Sequence, residues 1–145
     1  MTLQQFLLSP RLNRRTIINM QNEIALLNDE KTMINSFHVR DGGRGSEDHD
    51  MRLINLLDKI EERQSELNSK LEEYAVVIIQ VAEFIDNLED SNERAALNYY
   101  YVQFMNVKTI AETMFYSERT VLRILAKGIN NLSARFGENM SLNVS

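Results

Sequence analysis

The chain has no cysteine, one proline and only five glycines among its 145 residues. Without thiols it can build neither disulfides nor thiolate metal sites, a composition that suits a reducing cytosol. With so few helix breakers, long helices are expected. No apolar run reaches the roughly 18–20 residues that a membrane span needs. The opening Met-Thr-Leu-Gln-Gln-Phe lacks the basic-then-apolar pattern of a signal peptide. A cytoplasmic protein with no membrane partner is therefore expected. Histidine is scarce as well: His38 and His49 are the only two, in or beside a polar loop. No nucleophile pairs with a base and no convincing set of metal ligands is present, so an enzyme, a cofactor, a metal or any catalytic residue is not expected. The paired acids Glu61-Glu62 and Glu72-Glu73 read as solvated helix positions.

What the chain does have is enough apolar content for a core, 43% hydrophobic residues against 26% charged, and a length suited to one domain or a small domain plus an extension. The formal net charge of −5 is unevenly spread. Residues 49–90 carry four basic and eleven acidic side chains, residues 91–145 six basic and four acidic, and residues 1–48 six of each. The acidity belongs to the middle of the chain, and the C-terminal end is mildly basic, a modest footprint for phosphate contact.

Leu3, Phe6, Leu7 and Leu8 form a short apolar patch ended by Ser9-Pro10, with Pro10 suited to a first helical turn. From there to about Phe37 a helix is expected, with Ile17, Met20, Ile24, Leu27, Lys31 and Ile34 in alternating three- and four-residue steps, a coiled-coil seam with one polar interruption. Residues 40–50 break it, since three glycines within four residues cannot continue a helix cheaply. No Gly-Lys-Ser/Thr follows and no strand precedes, which argues against a phosphate-binding loop. Asp48-His49-Asp50 would have to converge on one ion from consecutive positions, and a solvated loop fits better.

The next helix shows the strongest periodicity. Leu53, Leu57, Ile60, Gln64, Leu67, Leu71, Tyr74, Ile78, Val81, Ile85 and Leu88 alternate four- and three-residue steps, specifying a coiled-coil-like helix of about 38 residues, roughly 57 Å long. A first helix of about 26 residues folded back antiparallel would cover some two-thirds of it. Beyond that coverage, residues 74–85 are apolar on more than one side and must be buried by the N-terminal patch, the C-terminal region or another subunit. Leu67, Leu71, Tyr74, Ile78, Val81 and Ile85 are thus the candidate oligomerisation residues, and a homodimer is expected.

Glu89-Asp90-Ser91-Asn92 favour a cap over a helix interior. A helix over 93–104 follows, placing Ala96, Leu97, Tyr100, Tyr101 and Phe104 in a three-helix core; stacking of the tyrosines on bases is the rival use of those rings.

Val107 to Ala126 reads as a helix-turn-helix. Ile110, Met114, Tyr116, Val121 and Ile124 fall where two short crossed helices bury side chains, and Ala111 sits at the closest crossing. Asn106 can cap the first helix and Ser117 the second, which is expected to run to about Phe136, leaving a frayed polar tail over 137–145. Glu118, Arg119, Leu122, Arg123 and Lys127 are left on the outer face, the one a recognition helix turns to a major groove. A helical hairpin in a globular core would use the same apolar spacing. The joint match of spacing, small residue, cap and basic outer face favours DNA binding.

The segment from Leu88 through Leu132 resembles region 4 of bacterial sigma factors: Glu93-Arg94 after a capped turn, Ile110-Ala111-Glu112, Ser117, Val121, and an ending Ala126-Lys127-x-Ile129-x-x-Leu132. The whole chain, over roughly residues 3–136, is similar to the ArpU/RinA-like regulators of phages infecting Gram-positive bacteria. The resemblance implies a phage or prophage transcription factor in the bacterial host cytoplasm, which binds double-stranded promoter DNA and activates late genes, with RNA polymerase as a candidate second partner. Carried over, the DNA-facing residues are Ser117, Glu118, Arg119, Thr120 and Arg123, with Lys127 and Lys108 toward phosphates. The chain departs from the family where Phe115 replaces the usual turn glycine, and where Leu122 and Leu125 replace charged residues. Leu122 is placed to touch a thymine methyl. Leu125 either faces a partner or packs inward.

The expected fold is therefore all-α, a long antiparallel helical hairpin over 1–90 with its loop at about 38–50, followed by a three-helix helix-turn-helix domain over 91–136. Two rivals share that layout. A phage DNA-packaging recognition subunit would form a ring of eight or more copies, where a regulator would be a monomer or dimer. A protein-interaction module with a vestigial helix-turn-helix would bind no DNA at low salt and would engage a partner through the acidic helix.

Overall fold

The computed structural model describes residues 1–40 and 47–143, so most of the expected glycine-rich loop and the last two residues of the tail lie outside the described residues. The protein is all-helical among them: α1 (Leu3–Arg40), α2 (Glu47–Ile85), α3 (Ser91–Leu97), a π-helical turn (Asn98–Val102), α4 (Val107–Met114) and α5 (Glu118–Asn143). None of these helices is long and apolar enough to cross a membrane.

Several helix ends differ from expectation for local reasons. α1 begins seven residues before Pro10, because Thr2 and Gln5 form a reciprocal cap: Thr2 Oγ1 accepts from the Gln5 amide at 3.1 Å and Gln5 Oε1 from the Thr2 amide at 2.9 Å. Pro10 therefore lies inside the helix. It forfeits one backbone hydrogen bond there, and its ring is fully buried. α2 starts at Glu47, inside the stretch expected to be loop. Its first turn carries Glu47, Asp48 and Asp50, whose charges suit the positive end of a helix. Asp48, His49 and Asp50 thus occupy successive helical positions about 100° apart, facing three directions. α5 continues to Asn143, past the expected end at Phe136.

The chain divides into two units, Asn13–Glu73 and Met1–Leu12 with Tyr74–Ser145, in place of the expected division at residue 90. In the unit 13–73, the seam of α1 is the one its spacing predicts. Ile17 and Ile24 are buried, and Met20, Leu27, Lys31 and Ile34 are half-buried. The seam of α2 shares Leu53, Ile60 and Leu67 with expectation, but its alternate positions lie one residue earlier. Leu56 is buried and Arg63 and Lys70 are half-buried, whereas Leu57 and Leu71 are each 40% exposed and Gln64 faces out. In this register Arg63 faces α1, its Nη2 and Nε both 3.0 Å from Glu23 Oε1. Arg63 also binds Glu66 one turn along. Hydrogen bonds to Glu66 and to Glu23 hold its guanidinium more firmly protonated than usual.

In the other unit, one side of the wide apolar arc of α2 is covered by two of the candidates, while Val76 and Ile79 on the other stay over half exposed. Val81, Ile85 and Leu88 share one core with Leu7 of the N-terminal patch and with Leu97, Ile110, Val121 and Leu132. Phe84 meets Phe6 edge-on at 5.5 Å between ring centroids and Phe136 edge-on at 5.8 Å, so one aromatic group joins α1, α2 and α5. This shared core is why the N-terminal turns group with the C-terminal helices and not with the rest of the hairpin. Arg94 Nη1 donates to the Leu88 carbonyl at 2.8 Å and fastens the turn between α2 and α3.

The helix expected over 93–104 is interrupted. α3 ends at Leu97, and the backbone widens so that Gln103 donates to the carbonyl of Asn98, five residues back, at 3.1 Å. Phe104 then adopts φ 60°. Tyr101 lies in the core, against Tyr100 at 4.8 Å. The Arg11 guanidinium lies 5.0 Å over the Tyr100 ring. Core packing therefore accounts for these two tyrosines.

Candidate nucleic-acid interface

Three caps set the C-terminal helices. Asp90 Oδ1 accepts from the amides of Asn92 and Glu93 at 2.9 and 3.0 Å, at the head of α3. Asn106 Oδ1 accepts from the Thr109 amide at 2.8 Å, at the head of α4. Ser117 Oγ accepts from the Thr120 amide at 3.1 Å, at the head of α5. Each satisfies a donor that a helix start leaves unpaired. α5 packs on both α3 and α4, burying Val121, Leu125 and Leu132 against Ile110 and Ala111. Leu125 thus packs inward. Tyr116 differs from its expected place in the core: it is largely exposed, and its hydroxyl accepts from Asn92 Nδ2 at 3.2 Å.

With that face buried, α5 presents the opposite one to solvent. Arg119, Arg123 and Lys127 recur every fourth residue and are all exposed, with Leu122, 55% exposed, between the two arginines. Four-residue spacing keeps such side chains on one face, drifting slowly around the helix. Glu118 is exposed at the first turn, and Lys108 is exposed on the first turn of α4. Ser117 and Thr120 are differently placed. The Ser117 hydroxyl donates to Thr120 Oγ1 at 2.9 Å while accepting the Thr120 amide, so the Ser117 proton is engaged in the cap, and Thr120 is half-buried.

Lys127 has a second environment. It lines an open cleft with Glu89, Asp90, Glu93, Asn131 and Arg135. Glu93 is only 4% exposed despite its charge, and Asn131 Nδ2 donates to its Oε1 at 2.8 Å. Arg135 stands 3.7 Å from Glu89. Lys127 thus shares its cleft with the carboxylates of Glu89, Asp90 and Glu93, whereas Arg119 and Arg123 do not line it. Among the described residues no group of three or more His, Asp or Glu is placed to hold a metal ion.

The turn holds the feature that residue spacing did not disclose. Phe115 takes the left-handed conformation, φ 61° and ψ 40°, and its amide donates to the Ala111 carbonyl. Tyr116 donates to the same carbonyl at 3.0 Å. Two hydrogen bonds thus pin a conformation that costs a residue with a Cβ about 1–2 kcal/mol. The Phe115 ring is 93% exposed.

The candidate oligomerisation residues separate into two groups. Val81 and Ile85 are fully buried in the core of their unit, and Leu67 is buried in the hairpin. Those three side chains are consumed within the chain. Leu71 is exposed, and Tyr74 and Ile78 are half-buried, which leaves them surface for another molecule.

The sequence profile described as a family of unknown function (DUF8669) matches residues 81–114, from the end of α2 to the end of α4. No curated protein and no solved structure matches the chain.

Proposed function

We propose that the protein is a non-enzymatic, sequence-specific DNA-binding regulator of the ArpU/RinA-like kind, acting at promoter DNA in a bacterial host, with RNA polymerase as a second contact. The observation that carries this reading is the outer face of α5, where Arg119, Leu122 and Arg123 are exposed together on a capped helix whose opposite face is buried. Arginine forks match the O6 and N7 acceptors of guanine, each pair discriminating by about 1–3 kcal/mol, and an exposed leucine suits a thymine methyl. The motif carries little surplus positive charge, so a monomer would bind weakly, and a homodimer doubling the contacts completes the reading.

Fluorescence anisotropy with a duplex from the gene's own upstream promoter, against a scrambled duplex, tests it. The promoter duplex is expected to bind more tightly, and Arg123→Ala to lose most of the difference. Equal affinity for both duplexes, unchanged in the variant, would sink it. Mass in solution separates the DNA-packaging rival, since eight or more copies would favour that reading and two would favour regulation.

A further inference from the structure

We infer that Phe115 is itself a DNA contact, its ring lying against the sugar faces at the edge of the groove that α5 enters. The inference rests on the DNA-binding reading above and adds to it a contact made by no charge. Nothing among the described residues accounts for an aromatic side chain at this position. The left-handed backbone favours glycine or asparagine, and the two hydrogen bonds to Ala111 are made by main-chain amides that any residue supplies. The ring is 93% exposed, so it contributes almost nothing to the core. A side chain that strains the backbone and faces water gains only when another molecule covers it.

The surroundings select the kind of molecule. Phe115 stands three residues ahead of α5, and Tyr116 beside it is tied to Asn92 at the head of α3. The ring is thus offered from a turn anchored on both sides. After Glu118 at its first turn, the exposed face of α5 sets a hydrocarbon between two cations: Arg119, Leu122, Arg123. A DNA groove edge has the complementary alternation, anionic phosphates between apolar deoxyribose and thymine methyl groups. Glu112 and Glu118 are exposed three residues to either side of Phe115 and would repel phosphates there, so the contact that this end of the motif offers is the apolar ring itself. An apolar pocket on a partner protein is the competing occupant.

Stability and binding should move in opposite directions, which a purely structural role would not produce. Phe115→Gly and Phe115→Asn both relieve the backbone strain and remove the ring. Both are expected to raise Tm. Both should also weaken binding to promoter and scrambled duplexes alike, by about tenfold, the scale of one lost ring contact. The salt dependence should keep its slope, because no phosphate contact is lost. Variants that melt lower than the wild type would show that Phe115 serves the fold, and would overturn the inference. Wild-type affinity in both variants, with Arg123→Ala still weakened, would also overturn it while leaving the DNA-binding reading intact, and would point to the protein pocket. If the wild type binds neither duplex at low salt, the underlying reading fails, and this inference with it.

Discussion

Gly128 on α5 lies so close to Leu97 on α3 that a Cβ added there would stand 2.8 Å from Leu97 Cδ1. Leu97 is fully buried, so it can give way only by displacing its core neighbours. Two effects oppose each other in Gly128→Ala. Alanine favours a helix interior over glycine by about 1 kcal/mol, while overpacking a filled core costs about 1–3 kcal/mol. The clash is expected to win, lowering Tm by several degrees, and Gly128→Val should lower it further. Thermal unfolding followed by circular dichroism checks this. A higher Tm for Gly128→Ala would mean that the α3–α5 contact is looser than described.

The seam of the hairpin yields a paired test, because Leu56 and Leu57 are chemically identical neighbours in different surroundings. Leu56 is 8% exposed and Leu57 40%. Leu56→Ala should cost about 2–3 kcal/mol of unfolding free energy, and Leu57→Ala under about 1 kcal/mol. Urea unfolding of both variants decides between the two registers. Equal losses, or a larger loss at Leu57, would restore the register drawn from spacing alone.

That pair also shows what could be read from the residues and what could not. In α1 every seam position was legible: Ile18 and Leu26 adjoin Ile17 and Leu27, but three- and four-residue steps from them meet Gln21, Asn22 and Glu23, whereas such steps from Ile17 meet Met20, Ile24 and Leu27. In α2, counting apolar residues preferred Leu71 to Lys70 and could not choose between Arg63 and Gln64. In the fold Arg63 stands opposite Glu23, a tertiary fact, and the carbon stem of Lys70 can line a seam while its ammonium reaches water. The caps at Asp90, Asn106 and Ser117 were legible because capping is a local interaction. The cap at Thr2 was equally local, but Pro10 drew the helix start toward itself. The π-helical turn and the left-handed Phe104 have no such local signature, since they follow from how Tyr101 and its neighbours must pack. On α5, the exposed Arg119, Leu122 and Arg123 were legible from helical spacing, whereas the engagement of Ser117 and Thr120 with each other needed three dimensions.

Tyr101 should give the fold a weak point at high pH. Burial, reinforced by the neighbouring Tyr100, raises its phenol above the ordinary 10.0, although Arg11 pulls the other way. The folded state therefore holds this proton more tightly than the unfolded chain does. The stability it contributes is complete below pH 10 and is lost as pH climbs from there through the raised value. Tyr101→Phe is expected to melt at a Tm that changes less between pH 9 and pH 11 than the wild type does. An identical decline in both proteins would locate the alkaline sensitivity elsewhere.

Self-association, if α2 mediates it, must use the residues that the chain leaves uncovered. Leu71→Glu is expected to reduce the mass seen by sedimentation equilibrium without loss of helicity, because Leu71 is 40% exposed. Val81→Glu would instead place a charge in the fully buried core and unfold its unit. A variant at Leu71 that keeps the wild-type mass would remove this face of α2 from the interface.

The cations of the helix-turn-helix should divide by the kind of contact each makes. Arg119 and Arg123 flank Leu122 on the exposed face of α5, where guanidinium forks can reach base edges. Replacing either with alanine should cost about 1–3 kcal/mol on the promoter duplex and much less on a scrambled one. Lys108 lies on the first turn of α4. Lys108→Ala should weaken both duplexes equally and reduce the slope of log K against log salt by about 1, the sign of a lost phosphate contact. Lys127 should matter less than its place in the stripe suggests, because it shares a cleft with Glu89, Asp90 and Glu93. Carboxylates in the same cleft offset a cation's pull on phosphates, so Lys127→Ala is expected to change the salt slope by clearly less than Lys108→Ala. Titrations at four or more salt concentrations give all of these slopes together. If the arginine variants lost affinity uniformly on both duplexes and each lowered the slope by about 1, α5 would be gripping the backbone and not reading bases.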